Sequence, residues 1–84
     1  MAMTPALLAS LEIDTADYFK QIGITYWQKL VREGVPRREA CTIAAAIAKF
    51  DLFERSPSSE QKRLISQFSP LVCRAQLWRS HLLL

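Results

Sequence analysis

Apolar residues along this chain recur three and four positions apart, the period of one helix face, and turn-forming residues interrupt them at intervals of a helix length. Phe19, Ile22, Tyr26 and Leu30 make one such stripe, which Trp27 and Val31 widen. Asp14 or Thr15 is placed to cap this helix, which the pattern carries to about Glu33. Gly34 suits the position just past its end, where a left-handed residue closes the last turn. Pro36 presets the first turn of the next helix and Glu39 complements its positive end. From Pro36 to about Glu54 the chain is apolar on nearly every side. Ala40, Ile43, Ile47 and Phe50 share one face, and Cys41, Ala44, Ala45, Ala48 and Leu52 occupy much of the rest. Small residues on two sides let neighbouring backbones approach closely, so this segment is expected to be the central helix.

Shorter elements flank this pair. Thr4-Pro5 predicts a helix start, with Leu7, Leu8 and Leu11 on one side of Pro5 to Glu12. Arg55-Ser56-Pro57-Ser58-Ser59 is a break rich in turn formers, after which Ser58 and Gln61 have capping-box spacing for a helix to about Phe68. Ser69-Pro70 starts a further helix, with Leu71, Ala75, Trp78 and Leu82 in register. Gly23 falls in mid-helix, where it allows either a close helix approach or a kink. The expected fold is all-α, a compact bundle of four to five short helices around the Ala-rich helix at about 36–54, in one domain over 1–84.

The chain has 84 residues, half of them hydrophobic and only two of them glycine, which excludes a low-complexity or disordered protein. A domain this small buries roughly 60–65% of the surface its unfolded chain exposes, so the apolar share exceeds what one core needs. Cys41 and Cys73 lie in apolar runs and are expected to be buried, reduced thiols. A cytoplasmic location is expected, because the start of the chain has no basic leader or long apolar core and no uncharged run is long enough to span a membrane. The net charge of +3 is unevenly spread. Glu12, Asp14 and Asp17 mark an acidic start; Arg55, Lys62, Arg63, Arg74 and Arg79 mark a basic end. That asymmetry suits contact between chains or an acidic partner.

The residue types argue for binding over catalysis. His81 is the one histidine, and Cys73 stands about 12 Å from it along a helix axis, too far for a nucleophile–base pair. One histidine and two separated cysteines do not make a zinc site, and two isolated glycines do not make a phosphate loop. No enzyme activity, cofactor, metal or small-molecule substrate is therefore expected. Asp51 and Glu54, beside Arg55, read as a solvated patch, and Trp27 and Trp78 as core.

The segment Gln28 to Ile47 resembles a helix-turn-helix, centred on Gly34-Val35-Pro36. Ala40 and Ile43 match the apolar positions of that family's second helix. The resemblance implies a DNA-binding regulator in which Arg37, Arg38, Thr42 and Lys49 face nucleic acid. Leu30 and Glu33 depart from the pattern, and a plain αα-corner accounts for the same residues.

The leading expectation is a small intracellular interaction or regulatory module that forms homodimers. Its contact residues would be Phe53, Trp78, Leu82, Leu83 and Leu84, because these five large apolar side chains are hard to hide together in so small a domain. A partner's amphipathic helix lying in a groove is the other way to cover them, and a tail folded back on its own core is the third.

Overall fold

The computed structural model describes residues 15–83. The helix expected over Pro5 to Glu12 and the terminal Leu84 lie outside them. Four helices follow in order: α1 (Thr15–Arg32), α2 (Arg37–Phe53), α3 (Ser59–Gln67) and α4 (Ser69–Arg74). Among the described residues there is no strand, so the fold is the all-α bundle that the apolar period predicts.

The α1–α2 turn forms because Gly34 adopts φ +107°, a region closed to most side chains. The Val35 amide then reaches back to the Leu30 carbonyl at 3.0 Å and the Gly34 amide to the Val31 carbonyl at 3.0 Å. This crossed pair is a Schellman closure, and its usual apolar contact is present, since Leu30 and Val35 are both buried. Pro36 follows in an extended conformation, and its carbonyl accepts the first bond of α2 from Ala40 at 2.8 Å.

The two helices run antiparallel as a hairpin. At the turn end the Trp27 indole Nε1 donates to the Arg37 carbonyl at 3.0 Å. At the far end the Phe19 and Phe53 rings lie 6.0 Å apart. Phe19 is about 22 Å along the axis from the turn. Helices crossing at the roughly 90–120° of a helix-turn-helix would be well separated there. The turn residues that resemble that motif close an αα-hairpin in this chain.

Helix α2 is central, as its composition predicts. It packs against α1 and α3, and Ala40, Ile43, Ala44, Ala46, Ile47 and Ala48 are all buried along it. Burying side chains the size of Ile43 and Ile47 stabilises the fold by about 1.5–3 kcal/mol each. The alanines supply little area, but they let the neighbours close in. Glu54 ends α2 at φ 54°, its amide bonded to the Phe50 carbonyl. Ser58 then starts α3 with both halves of the expected capping box. Its hydroxyl accepts from the Gln61 amide at 3.2 Å, and its own amide donates to Gln61 Oε1 at 2.8 Å.

The last segment departs from expectation. Periodicity continues the final helix through Trp78 and Leu82, yet α4 stops at Arg74. Gln76 takes φ 62°. Its amide bonds to the Cys73 carbonyl at 2.9 Å, and the Leu77 amide to the Val72 carbonyl at 3.0 Å. This is a second Schellman closure with glutamine in glycine's place. The reversal turns Leu77 and Leu82 into the core, where they are 1% and 0% exposed beside Leu30, Ile43, Ile47, Ile65 and Val72. The thiols depart too: Cys41 and Cys73 are both exposed and free, because each falls on the outward side of its helix.

Candidate interaction surface

The α1–α2 hairpin has two flanks. Residues two apart on a helix point to roughly opposite sides, so Ile22 and Tyr26 face one flank while Ile24 faces the other. The last segment, residues 75–83, covers the first flank and is fastened there by one polar cluster. Asp51 on α2 receives two parallel bonds from Arg79, from Nε at 3.0 Å and Nη2 at 2.9 Å. The Tyr26 hydroxyl donates to the same carboxylate at 2.6 Å, and the Arg79 guanidinium lies 5.9 Å from the Tyr26 ring centre. Arg79 Nη1 also caps the Gln76 and Trp78 carbonyls, at 3.4 and 3.3 Å, which holds the turn that redirects the chain.

Partial burial and the bond to Asp51 raise the Tyr26 phenol above its ordinary value of 10.0. For Asp51, partial burial alone would raise the carboxyl, but the bonds from Arg79 and Tyr26 outweigh it and hold the group below its ordinary 3.8. Arg79 is raised in turn, chiefly by its bond to Asp51. Asp51 is thus part of an ion pair across the fold, not the solvated patch with Glu54 that its neighbours in sequence suggest.

The other flank is open among the described residues. Phe19, Gly23, Ile24 and Trp27 of α1 and Cys41, Ala44 and Ala45 of α2 line a groove of about 300 Å³ whose walls are almost wholly apolar. Ala44, 1% exposed, is its floor, and Ile24, 55% exposed, is a wall with no covering element among the described residues. A Cβ built on Gly23 meets nothing within 4 Å, so this glycine leaves a hollow instead of admitting a neighbouring helix. Phe53, 47% exposed and packed on Phe19, adds apolar surface beyond the groove's start, whereas Tyr18, 55% exposed, lies on the face of Ile22 and Tyr26. Lys20 belongs to the lining. Past Trp27 the groove continues between Gln28, Val31, Arg32 and Arg37.

A second groove, between α2 and α3, is mixed in character and carries charged residues of both signs, Glu60 among them. Arg38, Thr42 and Lys49 lie along one stripe of α2, facing Ser58 and Gln61 at the start of α3, and Arg55 and Arg63 border the same groove. Phe53 stands at its end beside Lys49. Arg37 does not join this group; it borders the opposite groove, beyond Trp27.

The five apolar residues expected to meet a partner therefore divide. Leu82 is fully buried, Leu83 is partly buried against the core, and Leu84 lies outside the described residues. Phe53 and Trp78 are exposed, at 47% and 37%. Ile24 and Tyr18 were not among the expected contacts, although Ile24 has a readable signal: it is a large apolar residue out of register with the stripe of Phe19, Ile22, Tyr26 and Leu30. His81 is exposed. No described helix is long and apolar enough to cross a membrane.

The chain matches no protein-family model, no curated protein and no solved structure.

Proposed function

We propose that this chain is a protein-interaction module that acts by binding, not catalysis, and that its contact face is the α1–α2 groove. The observation that carries this reading is the groove's makeup: an almost wholly apolar trough with exposed Ile24 on its wall and Phe53 packed on Phe19 at one end. Contiguous exposed apolar surface of this kind marks contact sites, and a trough between two helices suits a third helix laid along it. Self-association through the C-terminal leucines loses its main support, because Leu82 sits in the chain's own core. An intracellular setting suits the two exposed, unpaired thiols, which oxidise readily elsewhere.

The test uses Trp27 as a reporter in the full chain carrying Trp78→Phe, which leaves Trp27 as the single tryptophan. The probe is a synthetic peptide with leucines at helical spacing and only alanine and glutamine between them. Saturable binding in the tens of micromolar is expected, and Ile24→Asp should weaken it about tenfold or more, equivalent to about 1.4 kcal/mol. An unchanged Trp27 emission up to millimolar peptide would refute the reading.

Nucleic-acid binding is the second reading, and the clustering of Arg38, Lys49, Arg55 and Arg63 along the α2–α3 groove favours it. Cations along a groove meet phosphates without reading bases. Mixed-sequence duplex DNA should then bind at 50 mM salt and release steeply by 200 mM. No binding at 50 mM would end it.

A further inference from the structure

We infer that the partner of the α1–α2 groove is an amphipathic helix bearing acidic residues beside its apolar stripe. This inference rests on the interaction reading above and names the chemistry of the occupant. Cations stand at both ends of the trough: Lys20 at one, Arg32 and Arg37 past Trp27 at the other. Among the described residues no carboxylate lines either stretch. An apolar helix seated there would bring its flanking residues over these cations. Aspartate or glutamate at those positions is attracted, and lysine is repelled at short range.

The groove's relief adds a steric rule. Phe19 and Trp27 rise at either side of Gly23, about 12 Å apart along the axis. The hollow over Gly23, floored by Ala44, takes one large apolar side chain as a knob. Lys20 and Arg32 are about 18 Å apart along α1, so three turns of a partner helix span both charged ends. Cations at both ends also mean that carboxylates at either end of the partner find a counter-charge.

The experiment compares two synthetic 14-residue peptides that share one leucine stripe, flanked by glutamate in one and lysine in the other. Binding is read from Trp27 emission in the Trp78→Phe chain. In parallel, the unmodified full chain is alkylated at its thiols, because Cys41 lines the groove and Cys73 lies outside it. The glutamate peptide is expected to bind about tenfold tighter or more at 50 mM salt, with the gap shrinking at 500 mM. It should slow alkylation of Cys41 and leave Cys73 unchanged. The variant Lys20→Glu with Arg37→Glu should reverse the preference.

Equal affinity for the two peptides, with binding intact, would overturn the acidic partner and leave the groove reading standing. Failure of the uncharged leucine peptide as well would remove both. A preference that survives charge reversal, or protection of Cys73 in place of Cys41, would place the site elsewhere. Protection of Cys41 before peptide is added would name a different occupant. If it grows with protein concentration, that occupant is a second copy. If it is constant and relieved by Leu8→Asp, it is the chain's own first residues.

Discussion

The two flanks of the α1–α2 hairpin are built from the same kinds of residue and end up in opposite states. On one, residues 75–83 lie across the hairpin, bury Leu77 and Leu82, and are fastened by Tyr26, Asp51 and Arg79. On the other, Ile24 is exposed and Phe19 and Trp27 are half-buried, with no covering element among the described residues. The covered flank combines apolar burial with a polar fastening. Arg79 satisfies the Asp51 carboxylate and two backbone carbonyls at once, and so fixes where the last segment lies. The open flank has no comparable fastening among the described residues.

The largest effect that separates the flanks is a matched truncation. Leu82→Ala removes a fully buried side chain and should cost about 2–5 kcal/mol. Ile24→Ala trims one that is 55% exposed and should stay within about 0.5 kcal/mol. Urea midpoints, with the denaturant slope unchanged, measure both. Equal losses would mean that Ile24 is covered in the free protein and that the two flanks do not differ.

The fastening itself comes next in size. Arg79→Ala should cost about 1–3 kcal/mol, since it leaves the partly buried Asp51 carboxylate without its charged donors. The pH dependence gives an independent reading. Asp51 titrates below its ordinary 3.8 in the folded chain, so its contribution is complete above that value and is lost as pH falls through the lower, folded one. Tyr26 titrates above 10.0, so its contribution is complete below 10.0 and is lost as pH rises through its folded value. Asp51→Asn should flatten the acid limb of stability against pH, and Tyr26→Phe the alkaline limb. A Tyr26→Phe and Arg79→Ala double-mutant cycle that returns no coupling would show that the cluster is not one unit.

How far each flank was legible in the sequence follows from how local its causes are. The hairpin was legible because Gly34, Pro36 and the Ser58–Gln61 box act on their immediate neighbours. The central place of α2 was legible because its alanines and isoleucines leave it no polar face wide enough to expose. The end of α4 was not. Gln76 occupies a left-handed position that glycine usually marks, and Trp78 and Leu82 keep helical spacing although they lie beyond the helix. The Asp51–Arg79 pair joins residues far apart in the chain, so each was read against its sequence neighbours instead. The thiols failed for a related reason: an apolar run shows that a helix is buried somewhere, not which of its sides faces outward. On the open flank, Ile24 could have been found, because it breaks the stripe of its own helix.

The smallest predicted effect sets the two glycines against each other. At Gly34 the backbone holds φ +107°, and alanine there is strained whatever space surrounds it. Gly34→Ala should lower stability by about 1 kcal/mol or more and weaken the closure between Leu30 and Val35. Gly23 sits in a regular helix with nothing within 4 Å of an added Cβ. Gly23→Ala should raise stability by about 0.5–1 kcal/mol, because alanine loses less backbone freedom on folding. The same methyl fills the hollow between Phe19 and Trp27 that the partner's knob would take. Thermal melting and peptide titration of that single variant should therefore move in opposite directions, to a higher Tm and a weaker Kd. A glycine retained for stability alone would leave the affinity where it was. A rise in Tm with a loss of binding ties Gly23 to the open flank, and it explains why a helix otherwise suited to alanine carries a residue that weakens it.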